Sequence, residues 1–359
     1  MLIYIATYAI ISAIFAFLPQ QDSKKSDASK ILCIVSCLLL IVVIGLRHPS
    51  MGVDLMYGES HGYLGSFDKL AQKSWGEVFT IDKFMNYEWG YIVFNKLVST
   101  IWNNQQFFLF ICACFSIIPF FIVIYKQSDS AFLSTIILAG LPGFLMIFSG
   151  LRQAIAMGLC FLAIYFIQEK KPVKFIITVL ISCLFHSSSW IFLFAYPMYN
   201  VKISKTGRFW SLGILALIFI LRGPLFIIFS NLFKEEANIS TSDGGFTLLI
   251  FFIAIYILCF ALQNEKNDEQ NGLLNLFFFA CCCQCFASVY DTAMRVGFYF
   301  MVALILLLPN IVNKGRFQDK EKTVAYVFIA VIFVAFGIFN ILTTPWAEAY
   351  PYYFFWERM

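Results

Sequence analysis

Four short stretches of this chain carry residues that could do chemistry where an apolar segment ends or begins. Gly45-Leu46-Arg47-His48-Pro49 stops an apolar run at a cation, and Gly52-Val53-Asp54-Leu55-Met56-Tyr57 then adds an Asp and a Tyr on small turns. Ser149-Gly150-Leu151-Arg152-Gln153 joins two apolar runs with almost no linker. Ser149 suits the N-cap of the following helix, which puts Arg152 in the first turn, where the helix dipole disfavours a cation. An arginine there is explained by an anion held between it and the free N–H groups, which is how helix N-termini bind phosphate. The plainer reading, for Arg47 as for Arg152, is a side chain snorkelling to lipid headgroups. Phe185-His186-Ser187-Ser188-Ser189 holds the one histidine of three that lies at a turn between apolar segments. His186 is either a hydrogen-bonded turn residue or a general base, since a neutral imidazole accepts a hydroxyl proton near pH 7. Ser187 has no Asp or Glu nearby in sequence to support it as a nucleophile. Asp291 and Arg295 stand four residues apart, with Tyr299 one turn on; they either neutralise each other or aim the arginine at an anion. Three arginines, a helix N-terminus and a histidine suit a di-anion beside a proton acceptor. Pyrophosphate fits, because Arg grips phosphate oxygens bidentately and stays charged in a low dielectric.

The elements that must position these residues follow from composition. The 359 residues are 60% hydrophobic and only 13% charged, with 43 Phe and 17 Tyr. Soluble domains are about half apolar and a quarter charged. A cytosolic enzyme, a disulfide-built secreted scaffold and a disordered chain are excluded, and a net charge of +4 is too small for a nucleic-acid binder. All 11 cysteines lie in apolar stretches, and the Cys281, Cys282, Cys283, Cys285 cluster has no polar surroundings to make it a metal site. The expectation is an all-α polytopic integral membrane protein, a single transmembrane domain over residues 1–359. The N-terminal apolar run lacks a basic start and a small-residue cleavage site, and is expected to be a first transmembrane helix.

Apolar runs predict about 12 crossings, some short or broken. They fall near 1–18, 31–46, 106–125, 131–148, 152–168, 174–186, 187–200, 209–230, 246–262, 272–290, 294–311 and 323–342. Positive-inside bias sets the orientation. Lys24, Lys25, Lys30, Lys126, Lys170, Lys171, Lys174, Lys202, Lys205, Arg208, Lys266, Lys314, Arg316, Lys320 and Lys322 all fall inside if the N-terminus is outside. Basic clusters on both sides of 174–198 imply a hairpin with His186 at its outward apex. The same scheme leaves 47–105 as an outer-face loop region, with an interfacial or re-entrant segment over 87–102. All four chemical contexts then lie on the outer side. Arg222, before Gly223-Pro224, is expected at a kinked helix end. No internal repeat supports an inverted-repeat transporter. No Walker loop, GxGxxG, HExxH or Asp-x-Asp is present, so nucleotide energy and a metal-held sugar nucleotide are not expected.

Gly45-Leu46-Arg47, Gly52-x-Asp54-x-x-Tyr57, Glu88-x-Gly90-Tyr91, Ser149-Gly150-Leu151-Arg152-Gln153 and Phe185-His186-Ser187-Ser188, in this order and spacing, resemble the EpsG family. Arg295 with Tyr299 and Phe300 extends the likeness. These bacterial membrane proteins are regarded as Wzy-type polymerases of exopolysaccharide, capsule or O-antigen. The resemblance implies a C-type glycosyltransferase plan and a site facing the outer leaflet of the inner membrane. It implies transfer of a growing glycan from undecaprenyl pyrophosphate to a sugar hydroxyl of a lipid-linked repeat unit, without metal or cofactor. The partners expected are that lipid-linked oligosaccharide and the bilayer, with a chain-length regulator as a candidate protein partner and no nucleic acid. On this reading Arg47, Arg152 and Arg295 hold the leaving pyrophosphate and His186 takes the acceptor's proton. Asp54 or Glu88 is the alternative base or orients the acceptor. Gln153, Tyr57, Tyr91 and Tyr299 complete the substrate contacts. The aromatic C-terminus, Trp346 to Trp356, is either a glycan rim or an interfacial belt. An O-antigen-type ligase, a membrane O-acyltransferase with an intramembrane His and a lipid-linked oligosaccharide flippase are the rival readings.

Overall fold

The structure, a computed structural model, describes residues 1–18, 24–80, 84, 86–233 and 245–357, without the side chains of 229–233 and 291. Among these residues the regular structure is helical, and the extended pairing consists of an isolated bridge between Arg47 and Phe354. Two compact units form, Met1–Trp190 with Ala325–Met359, and Ile191–Val324.

The first unit opens with α1 (Leu2–Phe17) and α2 (Asp27–Gly45). Ser26 caps α2 by accepting the Ser29 N–H. Three shorter helices follow: α3 (Gly62–Gln72), α4 (Trp75–Phe79) and α5 (Trp89–Ile101). At about 1.5 Å per residue, the 13 residues of α5 span roughly 20 Å, short of a hydrocarbon core. Lys96 of α5 is buried and donates to the Ala71 and Lys73 carbonyls, satisfying the free C-terminal end of α3. Then come α6 (Gln105–Gln127), α7 (Ala131–Gly140), α8 (Leu151–Gln168) and α9 (Pro172–Cys183). α8 packs between α6 and α9, and α2 lies along α6.

The chain leaves α-helix at Leu184 and resumes as a 3-10 turn over Ser187–Phe194. The second unit holds α10 (Ala195–Asn200), α11 (Lys205–Phe233), α12 (Phe246–Leu262), α13 (Asp268–Gln284), α14 (Asp291–Met301) and α15 (Leu304–Lys314). α13 is its centre, packed against α10, α12, α14 and α15. α16 (Asp319–Thr343) returns to the first unit, where Asn340 donates to the Gly140 carbonyl at the end of α7.

Among the described residues five helices are long and apolar enough to cross a membrane: α2, α6, α8, α11 up to Ile228, and α16. A sixth forms if α14 and α15, bent by 40° at a two-residue break, count as one span. Four shorter apolar helices, α1, α7, α9 and α12, lie near other predicted crossings. The predicted crossings at 187–200 and 272–290 belong to neither group: the first is a 3-10 turn plus six residues of α10, and α13 opens on Asp-Glu-Gln-Asn. Arg222 stands inside α11, which continues through Pro224, and not at a helix end. Its Nη1 donates to the Phe219 carbonyl, its guanidinium lies 4.2 Å over the Phe219 ring, and its Nε donates to the Ser288 hydroxyl at 3.1 Å, so α11 and the segment after α13 house the cation together.

Candidate active site

Glu88 is the centre of the cluster that the first unit assembles. It is the N-cap residue of α5, yet its side chain does not cap that helix. One carboxylate oxygen instead meets Arg152 Nη1 at 2.5 Å, and the other accepts the Ser187 N–H at 2.8 Å. His186 Nδ1 lies 3.4 Å from that second oxygen, in ion-pair range though not aligned for a hydrogen bond. Segments far apart in sequence are thus brought to one carboxylate. All three side chains keep some access to solvent, 15% exposed for Glu88, 18% for Arg152 and 24% for His186.

Close backbone packing sets this position. The Tyr91 N–H donates to the Leu184 carbonyl, which ends α9. A Cβ on Gly90 would stand 2.6 Å from the Leu184 Cβ, so only glycine lets the start of α5 reach the end of α9. The Glu-x-Gly-Tyr spacing places the carboxylate one turn before this contact, level with Ser187.

Arg152 projects from the first turn of α8, whose N-cap is Gly150 with no side-chain cap. The anion beside this cation is Glu88, supplied by the chain itself. Ser149 does not cap α8 as expected; its hydroxyl accepts the Asp54 N–H instead. The Arg152 guanidinium lies 4.5 Å over the Tyr87 ring, and its Nε reaches the Tyr63 hydroxyl at 3.4 Å. Tyr63 and Tyr87 stack on one another, and Tyr91 meets both edge-on. This aromatic wall holds the guanidinium by cation–π attraction while Nη2 has no hydrogen bond to a described residue.

Electrostatics follow from the geometry. Burial alone would raise the Glu88 carboxyl, but the His186 ring, the Ser187 N–H and the Arg152 charge outweigh it and hold it at about 2. Such a carboxyl is a feeble proton acceptor at neutral pH, which favours the orienting role for Glu88 over that of a base. Burial pushes the Tyr63 phenol up to about 12, so it faces Arg152 neutral.

The other expected residues are placed as follows. Asp54 is half-buried, near enough for its charge to act on Tyr63 and Tyr87. Tyr57 is exposed and sets its ring edge-on to His48. Gln153 is buried in α8, and Tyr91 is buried in the aromatic wall. Arg295 is exposed on α14 and Tyr299 is buried, both in the second unit. The expected Asp291–Arg295 pair lies outside the described residues, because the Asp291 side chain does.

Arg47 requires a correction. It neither snorkels nor presents an open guanidinium: it is fully buried and donates to the carbonyls of Ile44, Met51, Ile147 and Phe148. A cation whose donors are taken up by backbone carbonyls is a clamp. Gly52, at φ 123°, allows this closure, because a side chain there would strike the Phe148 carbonyl. The C-terminal segment completes the clamp, with the His48 N–H donating to the Tyr353 carbonyl and the Phe355 N–H to that of Leu46. Tyr352 Oη donates to the Val43 carbonyl at 2.6 Å, so this part of the aromatic tail is tied to the end of α2.

Sequence reasoning missed Tyr63 and Tyr87 as partners of Arg152. Their signal was faint: Tyr87 directly precedes Glu88, and Tyr63 had no motif around it. Among the described residues no group of His, Cys, Asp and Glu has the arrangement of a metal site. No curated protein and no solved structure matches the chain. The EpsG family model matches residues 30–354, which takes in the Arg47 clamp, the whole Glu88–Arg152–His186 cluster and α14. This membrane protein of apolar helices belongs to the EpsG family.

Proposed function

We infer that this chain is a polysaccharide polymerase of a bacterial inner membrane, with the Glu88 cluster facing the extracytoplasmic side. The reading takes about 12 crossings in a C-type glycosyltransferase plan, with short helices covered by their neighbours. The substrate is a growing glycan on undecaprenyl pyrophosphate, and the acceptor is a sugar hydroxyl of a lipid-linked repeat unit. The hydroxyl oxygen attacks the anomeric carbon, the bond from that carbon to the pyrophosphate oxygen breaks, and the carrier leaves as undecaprenyl pyrophosphate. Charge grows on the leaving group, so a fixed cation lowers the barrier.

The observation that supports this most is the convergence of Arg152, Glu88 and His186 in a chain of this family. Arg152 supplies the cation, held by Tyr63, Tyr87 and Glu88 with Nη2 left for phosphate oxygen. Glu88 attracts the Nδ1–H of His186, which leaves Nε2 to take the acceptor's proton. Asp54 and Tyr57 are assigned to the acceptor sugar. Arg295 is kept as a separate candidate, and the experiment decides its part.

The test is glycan chain length on a polyacrylamide gel from a strain lacking the gene, complemented at matched expression. Wild type restores long polymer, whereas Arg152→Lys, His186→Ala and Arg295→Ala leave mostly single repeat units. Full-length polymer from both Arg152→Lys and His186→Ala would remove the site. Loss of single units from the cell exterior in the deletion strain would point to a flippase.

A further inference from the structure

A second candidate site lies between α2 and α6, away from the Glu88 cluster. Lys30, Ile34, Leu38 and Ile41 on α2 face Ile118 and Ile122 on α6 across a groove of about 360 Å³, with Lys126 also in its wall. Ile34, Leu38, Ile118 and Ile122 are exposed, and they recur at helical spacing, so one continuous apolar stripe opens outward. The helices run antiparallel, which puts Lys30 at the start of α2 and Lys126 at the end of α6 at one mouth of the groove. Lys30 makes no ion pair to a described residue. The Lys126 ammonium lies 4.8 Å over the Tyr165 ring, a contact that holds it at the groove, and no carboxylate among the described residues pairs with it. Two nearby acids are engaged elsewhere, Asp129 standing 3.8 Å from Lys24 and Glu169 accepting from Gln127 and Lys171, and Asp27, one turn before Lys30 on α2, is exposed and forms no ion pair with it.

We propose that this groove binds one anionic glycerophospholipid, its phosphate between Lys30 and Lys126 and one acyl chain along the apolar stripe. From Lys30 to Ile41 α2 rises roughly 16 Å, and half of a hydrocarbon core is about 15 Å, so the groove is one leaflet deep. Basic mouths between transmembrane helices on the cytoplasmic side are where anionic headgroups bind, and the distribution of basic residues marks this mouth as cytoplasmic. A zwitterionic headgroup would leave both ammonium groups without a net counter-charge. The occupant is distinct from the glycan carrier of the proposed reaction, and the proposal does not depend on that reaction.

Native mass spectrometry and thermal unfolding of the purified full-length protein in neutral detergent test this. Palmitoyl-oleoyl phosphatidylglycerol is compared with phosphatidylcholine of the same chains and with inorganic phosphate. The expected result is retention of one phosphatidylglycerol at least about tenfold over phosphatidylcholine, with a raised unfolding midpoint. Lys30→Gln with Lys126→Gln abolishes the preference, the double arginine variant keeps it, and Lys202→Gln with Lys266→Gln does not alter it. Ile34→Trp with Leu38→Trp, both at exposed positions, fills the groove and lowers retention of either lipid. Equal retention of the two lipids, a preference that survives Lys30→Gln with Lys126→Gln, unchanged retention in the tryptophan variant, or a full shift from inorganic phosphate alone would each overturn the proposal.

Discussion

At the scale of single residues, two arginines that look alike in sequence hold opposite stations. Arg47 spends its donors on four backbone carbonyls, whereas Arg152 is braced by aromatic rings and one carboxylate at a site solvent can reach. Arg47→Met therefore leaves buried carbonyls without donors, at about 1–3 kcal/mol for each one left unsatisfied, and is expected to cut folded yield and the unfolding midpoint sharply. Arg152→Lys, which keeps the charge, is expected to change the midpoint far less and polymer length far more; equal loss of stability in both would sink the distinction. Glu88 makes a pH-dependent contribution. Its folded pKa of about 2 lies below the ordinary 4.5, so the stabilisation is complete above pH 4.5 and disappears as pH falls towards 2, on the order of 3 kcal/mol in all. Thermal melts of wild type and Glu88→Gln in detergent should differ most near neutral pH, draw together below pH 4.5 and converge only as pH approaches 2. A gap that is constant with pH would show that the carboxylate charge is not what the cluster uses.

At the scale of elements, the site depends on how closely α5 can approach the end of α9. The Tyr91 N–H to Leu184 carbonyl bond and the missing Cβ at Gly90 bring Glu88 to Ser187 and His186. Gly90→Ala is expected to push α5 away at about 1–3 kcal/mol and to shorten polymer more than its stability loss explains. Polymer length in a second variant of matched stability, Leu64→Ala in the core of α3, is the comparison; equal shortening in both would mean that only stability matters. The α8 N-terminus is instructive as well. Its cation calls for an anion, as the sequence of Ser149 to Gln153 implied, and Glu88 meets that demand by pairing with the Arg152 side chain inside the free protein.

At the scale of the whole molecule, the basic residues at helix ends predict the orientation across the membrane. A cysteine introduced at Lys25 is expected to react with a membrane-impermeant thiol reagent only after the inner face is opened. One at Tyr57, which is 52% exposed, is expected to react in intact spheroplasts. The reverse pattern would invert the topology and put the Glu88 cluster on the cytoplasmic side. The 11 native cysteines are buried or half-buried, which keeps the background low.

The membrane class and several helices were legible in sequence, because apolar runs are local properties: the runs at 1–18, 31–46 and 106–125 return as α1, α2 and α6 without knowledge of the fold. Arg152 and His186 could likewise be nominated, since charged and titratable groups beside apolar runs are costly and need a reason, whereas Glu88 was nominated only by the resemblance of Glu88-x-Gly90-Tyr91 to the family motif. Their mutual arrangement could not, because it depends on contacts between residues 34 to 98 positions apart. Only tertiary structure decided that Arg47 is sealed among carbonyls, that Ser149 serves Asp54 and not α8, and that Tyr63 and Tyr87 flank Arg152. A side chain's chemical type is written in the sequence; which donors and acceptors satisfy it is settled where the chain crosses itself.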